Sequence, residues 1–334
     1  SKILKLFNSR KLMEKKILGM GNAVLDIVTS VSDEFIISKK LEKGSMKLVD
    51  QESSDSILKE ISPIKKDSGG SVANTIVGIS MLGKKSFFCG KVKKDILGDE
   101  FVSDMRNTNT KFLCEQSLDG SPTARCIVFV TPDGERSMQT FLGASTTLSD
   151  KDIEPSFFNN IDYLLIEGYL WSSESARKAI LKAVEISKKK DIKIVFSLSD
   201  SNLVQMFRED FIKLISSDVD ILIGNESEFD ELLGKTEEVK FLEETNPELL
   251  IKTKGENGVL VIQNQSTESI PSIPVDKVLD TTGAGDMFAA GFLFKLLSGK
   301  DPVNSAKFGC KTASLVIQQY GARLEKELMM NLDN

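Results

Sequence analysis

The sequence predicts an α/β protein: a three-layer α/β/α sandwich with a mostly parallel central sheet, helices on both faces and a small β-rich lid. Three observations lead there. Short apolar runs, each long enough for one buried strand, recur along the chain. Helical patterns lie between several of them, and that alternation marks a sheet covered on both sides. Two stretches break the alternation and read as the lid. No repeat, low-complexity linker or shift of composition divides the 334 residues, so one domain over 1–334 with lid segments at about 27–49 and 113–144 fits better than two independent domains.

The first apolar run is Lys16-Ile-Leu-Gly-Met20, ahead of Gly21-Asn22. Runs of the same kind follow at 86–90, 163–166, 192–197, 219–223 and 249–253. Between 173 and 189, Ala176, Ala179, Ile180, Ala183, Val184 and Ile186 form a helical stripe, and Lys188–Lys190 suit the negative pole of its dipole. Residues 27–49 read as extended, charged and irregular. Residues 123–142 alternate as strands around a turn at Thr131-Pro-Asp-Gly134, where proline before Asp-Gly is a strong turn signal.

Composition removes several function classes. The net charge of −6 argues against a sequence-blind nucleic-acid binder, which needs a basic surface to displace counterions. No stretch reaches about 18 consecutive apolar residues, so no membrane span is expected. Residues 1–16 are basic without a continuous apolar core and do not read as a secretory signal. Cys89, Cys114, Cys126 and Cys310 are scattered, without a C-x-x-C pair, and read as reduced, packed thiols of a cytoplasmic protein. The chain has no histidine, which excludes Ser-His-Asp triads and H-E-x-x-H zinc sites. Proton transfer falls to other side chains, carboxylates among them.

The chemistry gathers in Asp280-Thr-Thr-Gly283-Ala284-Gly285-Asp286, followed by a helical stretch rich in Ala, Phe and Leu. Glycines at a helix start let backbone approach a ligand, and the free N–H groups there bind anions, phosphate oxygens above all. A carboxylate in that first turn, Asp286, can take a proton from a hydroxyl beside a transferring phosphoryl group. A capped helix with structural glycines is the plainer reading of the motif taken alone.

The string resembles the C-terminal signature, D-T-x-G-A-G-D, of the ribokinase-like (PfkB) family of carbohydrate and nucleoside kinases. Gly69-Gly70-Ser-Val-Ala-Asn74 resembles the family's N-terminal G-G-x-x-x-N. The resemblance runs from Ile17 to Ala322 and implies a central sheet of eight or nine strands with a β lid. It implies that Gly69 and Gly70 pass close to a sugar ring, that Asn74 and Asp26 bind its hydroxyls, and that Asn22 lies beside them. Asn225-Glu226-Ser227-Glu228 resembles N-x-x-E, with Glu228 organising Mg²⁺ through water and Asn225 near the phosphates; one carboxylate suffices because Mg²⁺ keeps several waters. An N-capped acidic helix start is the structural alternative. Thr253-Lys-Gly255-Glu-Asn-Gly258 looks like the T-x-G-x-x-G loop over ATP, and a hairpin turn is its alternative. Cys310 stands beside the adenine, where many members carry Asn. Asp280 and Thr282 match positions that bind an activating monovalent cation such as K⁺ in several members. Lid strands of the family often pair, which implies a homodimer through the lid.

The mechanism implied is in-line transfer from ATP to a primary hydroxyl, with Asp286 as base and the N–H groups of Ala284 to Asp286 as the anion cradle. The segments 19–23, 69–74, 131–138 with Arg136, 142–144 and 167–171 look most like the adenosine-kinase-like branch. Arg136 is expected to reach the substrate or the phosphates from the lid, and a surface hairpin charge is its plain alternative. A ribokinase- or fructokinase-type sugar kinase is the second reading, and a non-catalytic ligand sensor the third. A P-loop is absent, since Phe229 stands where its leading glycine belongs before Gly234-Lys-Thr236. A dinucleotide fingerprint fails at Val24.

Overall fold

Strand segments such as Ile17–Met20 and Leu164–Ile166 are apolar throughout because both of their faces are covered by helices. The computed structural model describes residues 14–332, so the expectations for 1–13 and 333–334 lie outside the described residues. Among the described residues there are fourteen strands: β1 (Ile17–Met20), β2 (Val24–Ser30), β3 (Met46–Leu48), β4 (Pro63–Gly69), β5 (Ser86–Cys89), β6 (Thr110–Phe112), β7 (Ala124–Val130), β8 (Arg136–Phe141), β9 (Tyr163–Glu167), β10 (Lys193–Ser197), β11 (Ile221–Asn225), β12 (Leu249–Thr253), β13 (Val259–Gln263) and β14 (Ser266–Ile270).

Nine of them form one sheet in the order β14-β13-β12-β11-β10-β9-β1-β5-β6. It is parallel from β6 to β12 and closes with two antiparallel strands. The expected α/β class and mostly parallel sheet are therefore found. The helix Glu174–Lys189 takes the predicted position behind a Ser173 cap and packs its alanine stripe into one core layer. The single tryptophan, Trp171, lies in that layer, donating to Asp210 at 3.0 Å and meeting Phe211 edge-on.

The other five strands make a second sheet in the order β3-β8-β7-β2-β4. Its membership departs from the segments read as lid. β4 belongs to it although Pro63–Gly69 shows no apolar alternation; it is an edge strand, opened by proline and carrying exposed Lys65 and Lys66. Residues 113–123 stay out of it, pairing instead through a Lys93–Ser117 bridge. Residues 27–49 are more regular than expected, with a Ser32-capped helix Asp33–Ser38 between β2 and β3.

The helices Ala284–Leu297 and Pro302–Val316 pack closely beside the sheet. A Cβ on Gly291 would stand 2.4 Å from Thr312 Oγ1 and 3.1 Å from Gly309 Cα. Thr312 uses that hydroxyl on Met287 O at 2.6 Å. Gly291→Leu is expected to overpack this seam and cost about 1–3 kcal/mol, read as a lower urea midpoint; an unchanged midpoint contradicts the packing account.

Candidate active site

In the large sheet β1 lies between β5 and β9, and the strand order runs outward from it in both directions. Ligands of open α/β sheets settle outside the carboxyl ends of the strands at such a switch. The helix Ala284–Leu297 starts there, behind Gly283 at φ 77°. A Cβ on Gly283 would come within 2.5 Å of Ala322 Cα, so the turn excludes any side chain. Ala284 N–H is spent on Thr281 O at 3.1 Å, and the first bond of the helix runs from Met287 N to Gly283 O at 2.8 Å. The N–H groups of Gly285 and Asp286 lie between these and remain for an anion. The cradle expected from Ala284 to Asp286 is thus one donor narrower.

Asp286 meets a second helix start. Ser71 Oγ donates to its Oδ1 at 2.7 Å and Asn74 Nδ2 to its Oδ2 at 3.1 Å. Both come from the helix Ser71–Met81, which follows the predicted glycine pair. Those glycines have protein neighbours that demand them. A Cβ on Gly69 would stand 2.4 Å from Asp26 Oδ2, and one on Gly70, at φ 106°, 2.2 Å from Asn22 O. Asn22, Asp26, Gly69, Gly70, Asn74 and Asp286 therefore form one group. Burial pushes Asp26 from 3.8 up to about 7, against the pull of Arg323 and Arg136. Burial also raises Asp286, while hydrogen bonds from Ser71 and Asn74 and the Arg323 charge hold it back.

Four of the five residues read as ATP-binding gather a short step away, beside Ala284 and Gly285 of the helix start, while Asn225 does not line the cavity they share. Thr253, Gly255, Gly258, Ala284, Gly285 and Cys310 line one cavity of about 660 Å³, completed by Ile273, Val275, Val278, Phe288 and Ile317. Its wall is largely apolar, and Gly285, with its N–H free, is among the lining residues. Gly258, at φ 85°, has no room for a Cβ, which would meet Ile270 O at 2.0 Å.

Asn225 and Glu228 realise the capping alternative: Asn225 Oδ1 accepts from Glu228 N, and the Glu228 carboxylate accepts from Asn225 N and Nδ2, each at 2.9 Å. The pair lies at the end of β11, in register with Thr253. Burial pushes Glu228 from 4.5 up to about 7. Both of its oxygens already hold donors yet keep lone pairs, so the residue fits an ion reached through water. Among the described residues no group of three or more Cys, Asp or Glu side chains gathers to hold a metal alone.

Arg136 bonds to the head of the glycine motif rather than to the acceptor group, although its charge reaches Asp26. Its Nη1 pairs with Asp280 Oδ2 at 3.1 Å and its guanidinium lies over Tyr320. Asp280 also accepts from Thr282 N at 2.9 Å and Gly321 N at 3.0 Å. A carboxylate so loaded, with a guanidinium against it, lends no support to a cation site at Asp280 and Thr282.

Three participants escaped the sequence reading. Ser71 sat inside a motif without a role. Arg323, bonded to Asn74, follows Gly321 in a segment without periodicity. Glu167 ends an apolar strand as a buried carboxylate, 1% exposed, accepting from Val72 N at 3.0 Å. A charged residue closing an otherwise apolar strand was the available signal. Burial pushes it from 4.5 up to about 8.

This arrangement — a glycine-cradled helix start, a carboxylate at its head and a nucleotide-sized cavity beside it — defines a small-molecule kinase. The chain belongs to the pfkB family of carbohydrate kinases, whose family model matches residues 44–328. A 5-dehydro-2-deoxygluconokinase of Halalkalibacterium halodurans is 29% identical over 79% of this chain and 84% of its own; another, of Clostridium beijerinckii, is 30% identical over 79% and 82%. Among solved structures, the adenosine kinase from Sinorhizobium meliloti superposes with TM-score 0.82 at 35% identity, over 93% of this chain and 96% of that one. A probable sugar kinase from Rhizobium etli gives 0.81 at 35%, over 93% and 95%. No helix among the described residues is long and apolar enough to cross a membrane.

The raised carboxylates fix a sign for pH. Folded Asp26 and Glu167 keep protons that the unfolded chain releases near its ordinary values, so the folded state binds more protons across the interval. Stability they contribute is full below about pH 4 and is lost as pH rises through about 7 to 8. Urea midpoints of the ligand-free protein are expected to fall across that window, and Glu167→Gln to flatten the fall; a flat wild-type profile contradicts it.

Proposed function

We propose that the protein transfers the γ-phosphoryl group of ATP to a primary hydroxyl of a nucleoside, with Asp286 as the base. The observation that carries the reading is the position of Asp286 between two helix N-termini, with its carboxylate oriented by Ser71 and Asn74. Positive helix poles flank the place where negative charge develops. Gly285 and Asp286 N–H groups hold the transferring phosphoryl oxygens, and Asp286 accepts the hydroxyl proton as the bond to phosphorus forms and the bond to ADP breaks. Asp26 and Asn22 hold the acceptor's other hydroxyls. Glu228 is the residue that would hold Mg²⁺ through water, and the bound ion would neutralise phosphate charge. The second sheet acts as a lid that excludes water.

A nucleoside is favoured over a sugar acid by charge and shape. On the lid face that carries Asp26, Val24, Ala124, Cys126 and Val128 form an apolar patch flanked by Val28 and Met138. Asp67 stands opposite Asp26 across β2 and β4. The cations nearby are engaged: Arg323 with Asp104, Arg136 with Asp280, Lys65 with Asp67. Such a lid face suits a neutral polyol carrying an apolar ring and opposes a carboxylate. The relatives named for 5-dehydro-2-deoxygluconate supply the second reading, a sugar kinase. An ADP-release screen over nucleosides, neutral sugars and 5-dehydro-2-deoxygluconate is expected to give adenosine the highest kcat/KM by about tenfold or more; a higher value for the sugar acid contradicts the nucleoside assignment.

Asp286→Asn is expected to keep ADP affinity by calorimetry yet lose turnover by roughly 10²- to 10⁴-fold. Near-normal turnover would remove Asp286 as the base. Glu228→Gln is expected to raise the Mg²⁺ concentration for half-maximal rate, and an unshifted titration counts against its role.

A further inference from the structure

Arg323 lies outside both motifs, and its side chain is 10% exposed. Each guanidinium nitrogen reaches a different element. Nε donates to Asn74 Oδ1 at 3.0 Å, Nη1 to Asp104 Oδ2 at 3.1 Å and Nη2 to Ser68 Oγ at 3.1 Å. Asp104 is itself fixed by Ser68, whose N and Oγ donate to it at 2.8 and 2.5 Å. The fork therefore ties the end of β4 and the helix Ile96–Asn107 to the start of the helix Ser71–Met81.

The consequence falls on Asn74. A carboxamide has one acceptor end and one donor end. With its oxygen taken by Arg323, its Nδ2 faces Asp286, and the reverse orientation would set two oxygens against each other. Asp286 is faced by Ser71 and Asn74 from the helix Ser71–Met81, by Asp26 from β2, by Glu167 at the end of β9, by Tyr169 in the turn that follows and by Arg323. Arg323 is the cation of that set.

We propose that Arg323 is a positioning residue for phosphoryl transfer: it turns the Asn74 carboxamide so that Asp286 is held at the acceptor, and its charge balances Asp26 and Asp286 across the pocket. The inference deepens the kinase reading above and rests on it. A purely architectural arginine would leave the titration of Asp286 untouched when replaced by a residue of similar length. This one would not, because an opposite charge nearby favours the ionised carboxylate.

The test compares wild type, Arg323→Met and Arg323→Lys, with Asp286→Asn as reference and adenosine and Mg-ATP as the probes. Arg323→Met is expected to lower kcat roughly ten- to hundredfold, the scale of a misplaced catalytic group, with KM for ATP kept and the acid limb of kcat moved up by about one pH unit or more. Arg323→Lys is expected to hold the acid limb in place while kcat stays reduced, since one ammonium cannot hold three acceptors in a fixed fork. Unchanged kcat and pH profile in Arg323→Met overturn the proposal. If that variant does not fold, wild-type kcat in Arg323→Lys overturns it. A second readout needs no acceptor. In protein labelled with ¹³C at aspartate carboxyls, the resonance missing from Asp286→Asn should titrate at higher pH in Arg323→Met, and an unmoved titration likewise overturns the proposal. Failure of wild type to phosphorylate adenosine, or full turnover by Asp286→Asn, sinks the phosphotransfer reading instead and leaves the carboxyl titration to decide on Arg323.

Discussion

Two helices that begin at the same point impose most of what surrounds them. Ser71–Met81 and Ala284–Leu297 pack so tightly that a Cβ on Gly78 would stand 2.8 Å from Ala290 Cβ. Thr75 closes the contact by donating to Asp286 O at 3.2 Å. Their N-termini, both positive, converge at the carboxyl edge of the sheet, where the Asp286 carboxylate accepts from Ser71 and Asn74 of one helix start while the Gly285 and Asp286 N–H groups of the other remain for a ligand. The glycines before each helix follow from this convergence. Gly69, Gly70 and Gly283 stand where the chain turns into a helix with no room for a side chain.

The same edge concentrates negative charge. Asp26, Glu167, Glu228 and Asp286 are each raised by burial, and helix poles, N–H donors and the charges of Arg323 and Arg136 offset that cost. A base whose protonation lies above the ordinary carboxylate range is better matched to a hydroxyl at neutral pH. On the proposed reading, a carboxylate serves here as the base that a protein without histidine cannot draw from imidazole. The second sheet reaches this edge by its tip as well as its face: Gly134 lies against Tyr320, and Arg136 crosses to Asp280 at the head of the glycine motif.

The sheet was legible because buried parallel strands are apolar on both faces, and the Glu174–Lys189 helix because its alanines recur at helical spacing. The strands that escaped were those with little to bury. Thr110–Phe112 is three residues long, Pro63–Gly69 is an exposed edge, and Ser266–Ile270 is polar and joined by a hairpin through Asn264 and Gln265, both at positive φ. The glycine-rich motifs stood out because few residues tolerate such turns. Arg323 and Glu167 did not, since what matters about them is which distant backbone and side-chain groups they meet. Asn74 shows the limit well: the motif marked it, but the orientation of its carboxamide depends on an arginine 249 positions away.

The central claim is that the acceptor hydroxyl and the γ-phosphoryl group meet at Asp286. A structure of the complex with a non-hydrolysable ATP analogue, Mg²⁺ and adenosine measures it directly. The account predicts the primary hydroxyl about 2.6–3.2 Å from an Asp286 oxygen, with γ-phosphoryl oxygens on the N–H groups of Gly285 and Asp286. An acceptor bound elsewhere, with Asp286 out of reach of every hydroxyl, would contradict it.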